Sequence, residues 1–133
     1  MRLEFFQWSQ AAATQEGNPC LAGYLDVDLP SHCEWELRRG RHYENWDPGT
    51  TARLLNAPEP SDFPFTSNAL PVYSPRLRAL MEGLRISGVQ YLPLRIVRDE
   101  DGGEIQGYHL ANYLHVIDCL DRERSVYQVW TKE

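Results

Sequence analysis

A helix must begin at Ser74-Pro75. A serine oxygen can accept an unpaired amide of a helix's first turn, and a proline at the next position has no amide to leave unpaired. Leu77, Leu80, Met81 and Leu84 then recur at i, i+3, i+4 and i+7, which is one stripe of a helix surface. Arg76, Arg78, Glu82 and Arg85 fall off that stripe. The spacing predicts a helix over about residues 75–85, stopped by Gly88 and packed on a sheet.

Two strands follow. Val89–Arg98 places Leu92, Leu94 and Ile96 on one face, and Pro93 removes a ladder donor, which puts this strand at an edge or at a bulge. Asp99-Glu100-Asp101-Gly102-Gly103 reads as a hairpin turn, because two glycines can take the positive φ of a tight reversal. The return strand runs from Ile105 to Ile117, with Tyr108, Leu110, Leu114 and Val116 on one face and Asn112 interrupting it. Asn112 is expected to pair its amide with backbone at a bulge. A polar turn over 118–124, closed by Asp121, leads to a last strand, Ser125–Trp130.

The stretch Ala57–Pro64 is proline-rich and reads as an extended connector. Ahead of it the elements are shorter. Leu3, Phe5, Phe6 and Trp8 alternate imperfectly as a strand, and Gly17-Asn18-Pro19 marks a turn. Tyr24–Leu29 is a short strand ended by Pro30, Trp35–Leu37 another, and Arg38–Thr51 a loop. The expected fold is α+β: one main helix on an antiparallel sheet (62–130) beside an irregular β-rich part (1–57), in a single domain over 1–133.

With 133 residues, 42% of them hydrophobic and 24% charged, the chain can bury a core without metals or disulfides. No apolar run approaches the roughly 18 residues of a membrane span, and Met1–Trp8 lacks the pattern of an export signal. Cys20, Cys33 and Cys119 are odd in number and widely spaced, so reduced cytoplasmic thiols are expected. The net charge of −6 is spread along the chain. That disfavours direct contact with a nucleic-acid backbone and permits a basic protein partner.

Catalytic signatures are weak. Cys20, His32, Cys33 and His42 lack zinc-site spacing, so no metal or other cofactor is expected. Cys33 or Cys119 with a distant histidine is compatible with a nucleophile, although a buried or idle thiol is the commoner case. Asp26 and Asp28 lie on the same side of a strand, as an acid–base pair or as a solvated face. Trp35, Tyr43 and Trp46 are interleaved with Glu34, Glu36, Glu44 and Asp47. Aromatic anchors ringed by charge suit a protein-binding surface, and the same rings also suit a core.

The order Asp62, Val72-Tyr73-Ser74-Pro75-Arg76-Leu77, Leu84, Val89-Gln90-Tyr91-Leu92-Pro93-Leu94, Gly107-Tyr108-His109-Leu110-Ala111-Asn112, Val116-Ile117-Asp118-Cys119-Leu120-Asp121 and Ser125 resembles bacterial immunity protein family eleven, over about residues 60–130. The resemblance implies a cytoplasmic protein of a polymorphic toxin system that binds and silences a toxin delivered by kin cells, without catalysis. An acidic protein suits a basic, nuclease-type toxin. The alternatives are a small hydrolytic enzyme using Asp or Cys, and an adaptor that carries a secreted effector. Because the resemblance begins near residue 60, the partner surface is expected ahead of it, on Asp26, Asp28, Glu34, Trp35, Glu36, Tyr43, Glu44, Trp46 and Asp47.

Overall fold

Residues 24–115, with Asp121, Glu123, Arg124 and Val126, are described by the computed structural model. The expected strand near Leu3–Trp8, the turn at 17–19, Cys20, Cys119 and the last strand lie outside these residues. In chain order the elements are β1 (Tyr24–Val27), α1 (Ser31–Leu37), β2 (Thr51–Leu55), β3 (Phe65–Thr66), β4 (Val72–Tyr73), α2 (Pro75–Gly83), β5 (Val89–Arg98) and β6 (Glu104–Tyr113).

The strands form one six-stranded sheet in the order β3-β1-β2-β5-β6-β4. Its two outermost strands are joined by residues 67–71 alone. In a flat sheet they would stand about 24 Å apart. Six Cα steps span at most about 22 Å when fully extended, and this connection is not extended: Ala69 N–H returns to Thr66 O at 3.2 Å and Thr66 Oγ1 donates to Leu70 O at 2.8 Å. The sheet must therefore curl until it nearly closes as a barrel.

Alternation along the curled strands makes an inside and an outside. Leu25, Val27, Leu54, Val72, Leu94 and Ile96 fill one part of the interior, and Leu37, Leu70, Leu92 and Leu110 another. On the outer face, Tyr73 and Ala111 receive Leu77 and Met81 of α2. The α+β class and the hairpin agree with the sequence reading, and β5 covers the predicted residues.

Other expectations are corrected. The sheet is mixed, not antiparallel, since β1–β3 and β2–β5 run parallel. There are two helices among the described residues: Trp35–Leu37, expected as a strand, belongs to α1. Cys33 and Leu37, four apart, are its buried positions. So short a helix is held by tertiary contacts: Leu37 joins Leu70, Leu92 and Leu110, and Cys33 Sγ lies 3.0 Å from Tyr43 Oη. Only Leu77 and Met81 of the four-residue stripe on α2 are buried; Leu80 and Leu84 are 55% and 61% exposed.

The start of α2 behaves as expected. Ser74 Oγ accepts Leu77 N–H at 3.0 Å and donates to Asp62, whose other oxygen pairs with Arg76 Nε at 3.2 Å. Its end does not involve Gly88. Arg85 takes φ 54°, and Arg85 N–H and Ile86 N–H return to Glu82 O and Met81 O at 2.9 and 3.4 Å. That is a Schellman stop with arginine in the left-handed position that suits glycine. Arg85→Gly should raise stability by about 1 kcal/mol, read from the urea midpoint at constant slope.

Pro93 is accommodated without an outer edge. β5 pairs with β6 along its length, but β2 covers only Arg95–Arg98. Pro93 turns its backbone to the side that lacks a strand, where its carbonyl accepts Trp46 Nε1–H at 2.8 Å. The missing N–H leaves no gap in the β5–β6 ladder, and the bulge lies just beyond, between Leu94 and Ile96.

His109, on β6, has a defined tautomer. Arg78 Nη1 can only donate to its Nε2, at 2.8 Å, so Nδ1 carries the proton given to Gly107 O at 2.9 Å. Burial first, and then the Arg78 charge, hold its pKa below the ordinary 6.5, opposed by the bond to Gly107 O and then by Glu82. The neutral ring therefore stabilises the fold fully above about pH 6.5, and that contribution is lost as pH falls below it. Urea midpoints between pH 8 and 5 should show the decline, and His109→Gln should remove this part of it.

Candidate functional site

A cleft of about 760 Å³ opens between α1 and the 42–50 loop, across the end of β1 and the start of β2. Pro30 turns the chain out of β1, and its carbonyl accepts Cys33 N–H at 2.9 Å to begin α1. Burying Cys33 and Leu37 leaves His32 and Glu36, on the adjoining side of the helix, facing the cleft. The opposite wall is the loop, shaped by an Asp47 turn. Asp47 Oδ1 accepts Gly49 N–H at 2.8 Å, and Asp47 O accepts Thr50 N–H at 3.0 Å and Thr50 Oγ1–H at 2.6 Å.

Four carboxylates line this cleft: Asp28, Glu36, Glu44 and Asp47. Among the described residues no lysine or arginine lines it, although His32 and His42 do. Arg39 Nη1 pairs with Glu36 at 2.9 Å, so Asp28, Glu44 and Asp47 carry most of the cleft's negative field. Tyr43 and Trp46 form the apolar part of the wall, edge to face at 6.1 Å between ring centres, and rest on the Leu37–Leu92–Leu110 cluster.

The structure gathers six of the nine expected partner-binding residues here: Asp28, Glu36, Tyr43, Glu44, Trp46 and Asp47. The other three lie elsewhere. Asp26 is the cross-strand neighbour of Arg53, whose Nη2 bonds its carboxylate at 2.8 Å. That bond holds the Asp26 carboxyl below its usual range, so its charge is already answered within the chain. Glu34 takes a bond from Asn68 Nδ2 at 3.4 Å. Trp35 is 69% exposed on α1 and does not border the cleft. Trp46, whose ring lines the cleft, also ties the loop down through its Nε1–H on Pro93 O.

The thiol in this cleft is poorly placed as a nucleophile. Cys33 Sγ is buried, 3.0 Å from Tyr43 Oη and 3.4 Å from His32 Nε2. Its bond to the thiol, followed by burial, holds the Tyr43 phenol above its ordinary pKa. The Asp26 carboxylate is engaged by Arg53 Nη2 at 2.8 Å, while Asp28 is exposed at the cleft. The described residues contain no group of three or more His, Cys, Asp or Glu side chains arranged to hold a metal ion.

Sequence reading missed Gln90. It stands directly opposite Asn112 in the β5–β6 register, and the two polar residues end an otherwise apolar row. Asn112 does pair its amide with backbone as expected, but with Arg41 O, 71 residues away and at 2.9 Å, and not at a bulge. Asp121 caps its turn, its Oδ1 accepting Glu123 and Arg124 N–H at 3.2 Å.

The model of the immunity protein family (Imm11) matches residues 31–133. The chain belongs to the Imm11 family. No curated protein matches it. The Imm11 match takes in α1 and the loop as well as the hairpin, so the boundary near residue 60 lapses, and with it the argument that the partner surface lies ahead of the family-like part. The cleft is built largely from Imm11 residues, and its claim rests on its own geometry. No helix among the described residues of this Imm11 protein is long and apolar enough to cross a membrane.

Proposed function

We propose that this Imm11 protein is a cytoplasmic inhibitor that binds and neutralises a toxin protein through the acidic cleft. The observation that carries the reading is a hollow of about 760 Å³ walled by four carboxylates and two aromatic rings, with no lysine or arginine among its described lining, in a member of an immunity family. Such a hollow suits a protruding basic loop. The aromatic wall supplies apolar contact, while the acids steer encounter and reject acidic partners. A nuclease-type toxin presents such basic loops where it holds phosphates, and covering them stops its chemistry without any catalytic step by the inhibitor.

The test is co-expression with the product of the adjacent gene. That product should arrest growth alone, lose its toxicity when this chain is present, and co-purify with it. Co-purification with toxicity intact would assign the chain to effector carriage and overturn inhibition.

A further inference from the structure

We propose that Gln90 and Asn112, neither of which lines the cleft, are its positioning residues. They hold the start of the loop wall against the strandless side of β5 with side-chain amides, in place of a neighbouring strand's backbone. The proposal rests on the cleft being the toxin-facing surface.

Along residues 89–94, β5 has β6 on one side and no strand on the other. The loop occupies that side. Gln90 Oε1 accepts Tyr43 N–H at 2.9 Å, and Gln90 Nε2 donates to Tyr43 O at 2.8 Å. One side chain thus answers both backbone groups of one residue, as a paired strand would. Asn112 Nδ2 spends its two hydrogens on Gln90 Oε1 and Arg41 O, each at 2.9 Å. Turning the Asn112 amide over would set oxygen against both acceptors, so the network has one orientation. Trp46 Nε1 on Pro93 O ties down the far end of the same wall.

Asn112 also shows a cost. It is 2% exposed, and its Oδ1 has no hydrogen-bond partner among the described residues. A buried unpaired acceptor opposes folding, and an apolar residue at the end of this row would avoid that opposition. The amide is there for its donors, which aim at the loop. Two consequences follow for binding: the wall is formed before a partner arrives, and ordering it adds nothing to the cost of association.

The test is backbone amide exchange on the full chain, comparing the native protein with Gln90→Leu and Asn112→Leu. Exchange at the Tyr43 amide should quicken by about tenfold or more, while Leu92, Leu94 and Leu110 in the β5–β6 ladder keep their rates. Equal acceleration at all these amides would mean that the residues only stabilise the fold, and an unchanged Tyr43 amide would mean that the loop holds itself; either result overturns the proposal. Gln90 is half-buried, so Gln90→Leu carries the test if Asn112→Leu does not fold. Affinity for the adjacent gene's product is read separately on the same variants. A loosened wall with unchanged affinity would move the toxin surface elsewhere and leave the positioning role supported.

Discussion

Replacing Gly107 by alanine should lower stability by about 2–4 kcal/mol, which combines a left-handed backbone strain with overpacking. Gly107 lies within β6 at φ +89°, and a Cβ there would come to 2.8 Å from Pro75 Cγ. Pro75 opens α2, and its ring cannot swing aside as a flexible side chain would. The methyl group must therefore displace the helix from the Tyr73–Leu77–Met81–Ala111 cluster or distort β6. Gly102, at φ +71° with nothing within 4 Å of its Cβ position, supplies the control. Gly102→Ala should cost about 1 kcal/mol, the backbone part alone. Urea unfolding of both variants measures the difference. Equal losses would mean that α2 moves freely on the sheet.

The second large effect is kinetic. Asp28→Lys with Glu44→Lys should slow association with the toxin by about 10–100-fold at low salt, since steering by clustered charge acts chiefly on the encounter. The defect should shrink as ionic strength rises and the Debye length falls below about 10 Å. These two acids are preferable to Asp26, whose reversal would set lysine beside Arg53, and to Asp47, whose carboxylate shapes the loop. Both are exposed, so stability should stay within about 0.5 kcal/mol of the parent. Glu100→Lys, in the hairpin turn, changes net charge away from the cleft. If it slows association as much per charge as the double variant does, the cleft has no special part in the encounter.

What was legible in the sequence was local. Ser74-Pro75 and the turn at 99–103 act through neighbours in the chain, and both the helix start and the hairpin follow from them. Strands β3 and β4 are two residues each and carry no period; pairing with β1 and β6 defines them. Strand β2 was hidden at the end of a polar loop, and its parallel contact with β5 leaves no turn signal. In the sequence Asp62 belongs only to a family-like pattern, while its task of accepting from Ser74 and Arg76 emerges only when the connector folds back. The site divided in the same way. The acids and aromatic residues over 28–47 were visible as composition, but α1 decides which of them share a cleft. Gln90 was invisible as a partner of Tyr43, 47 residues away, because nothing in a lone glutamine announces the loop it holds.

The most direct measurement is amide exchange on the complex with the adjacent gene's product, compared with the free protein. Binding at the cleft should slow exchange in α1 and over residues 42–50 while leaving the hairpin turn at 99–103 unchanged. Protection confined to that turn or to α2, with the cleft exchanging as in the free protein, would contradict it.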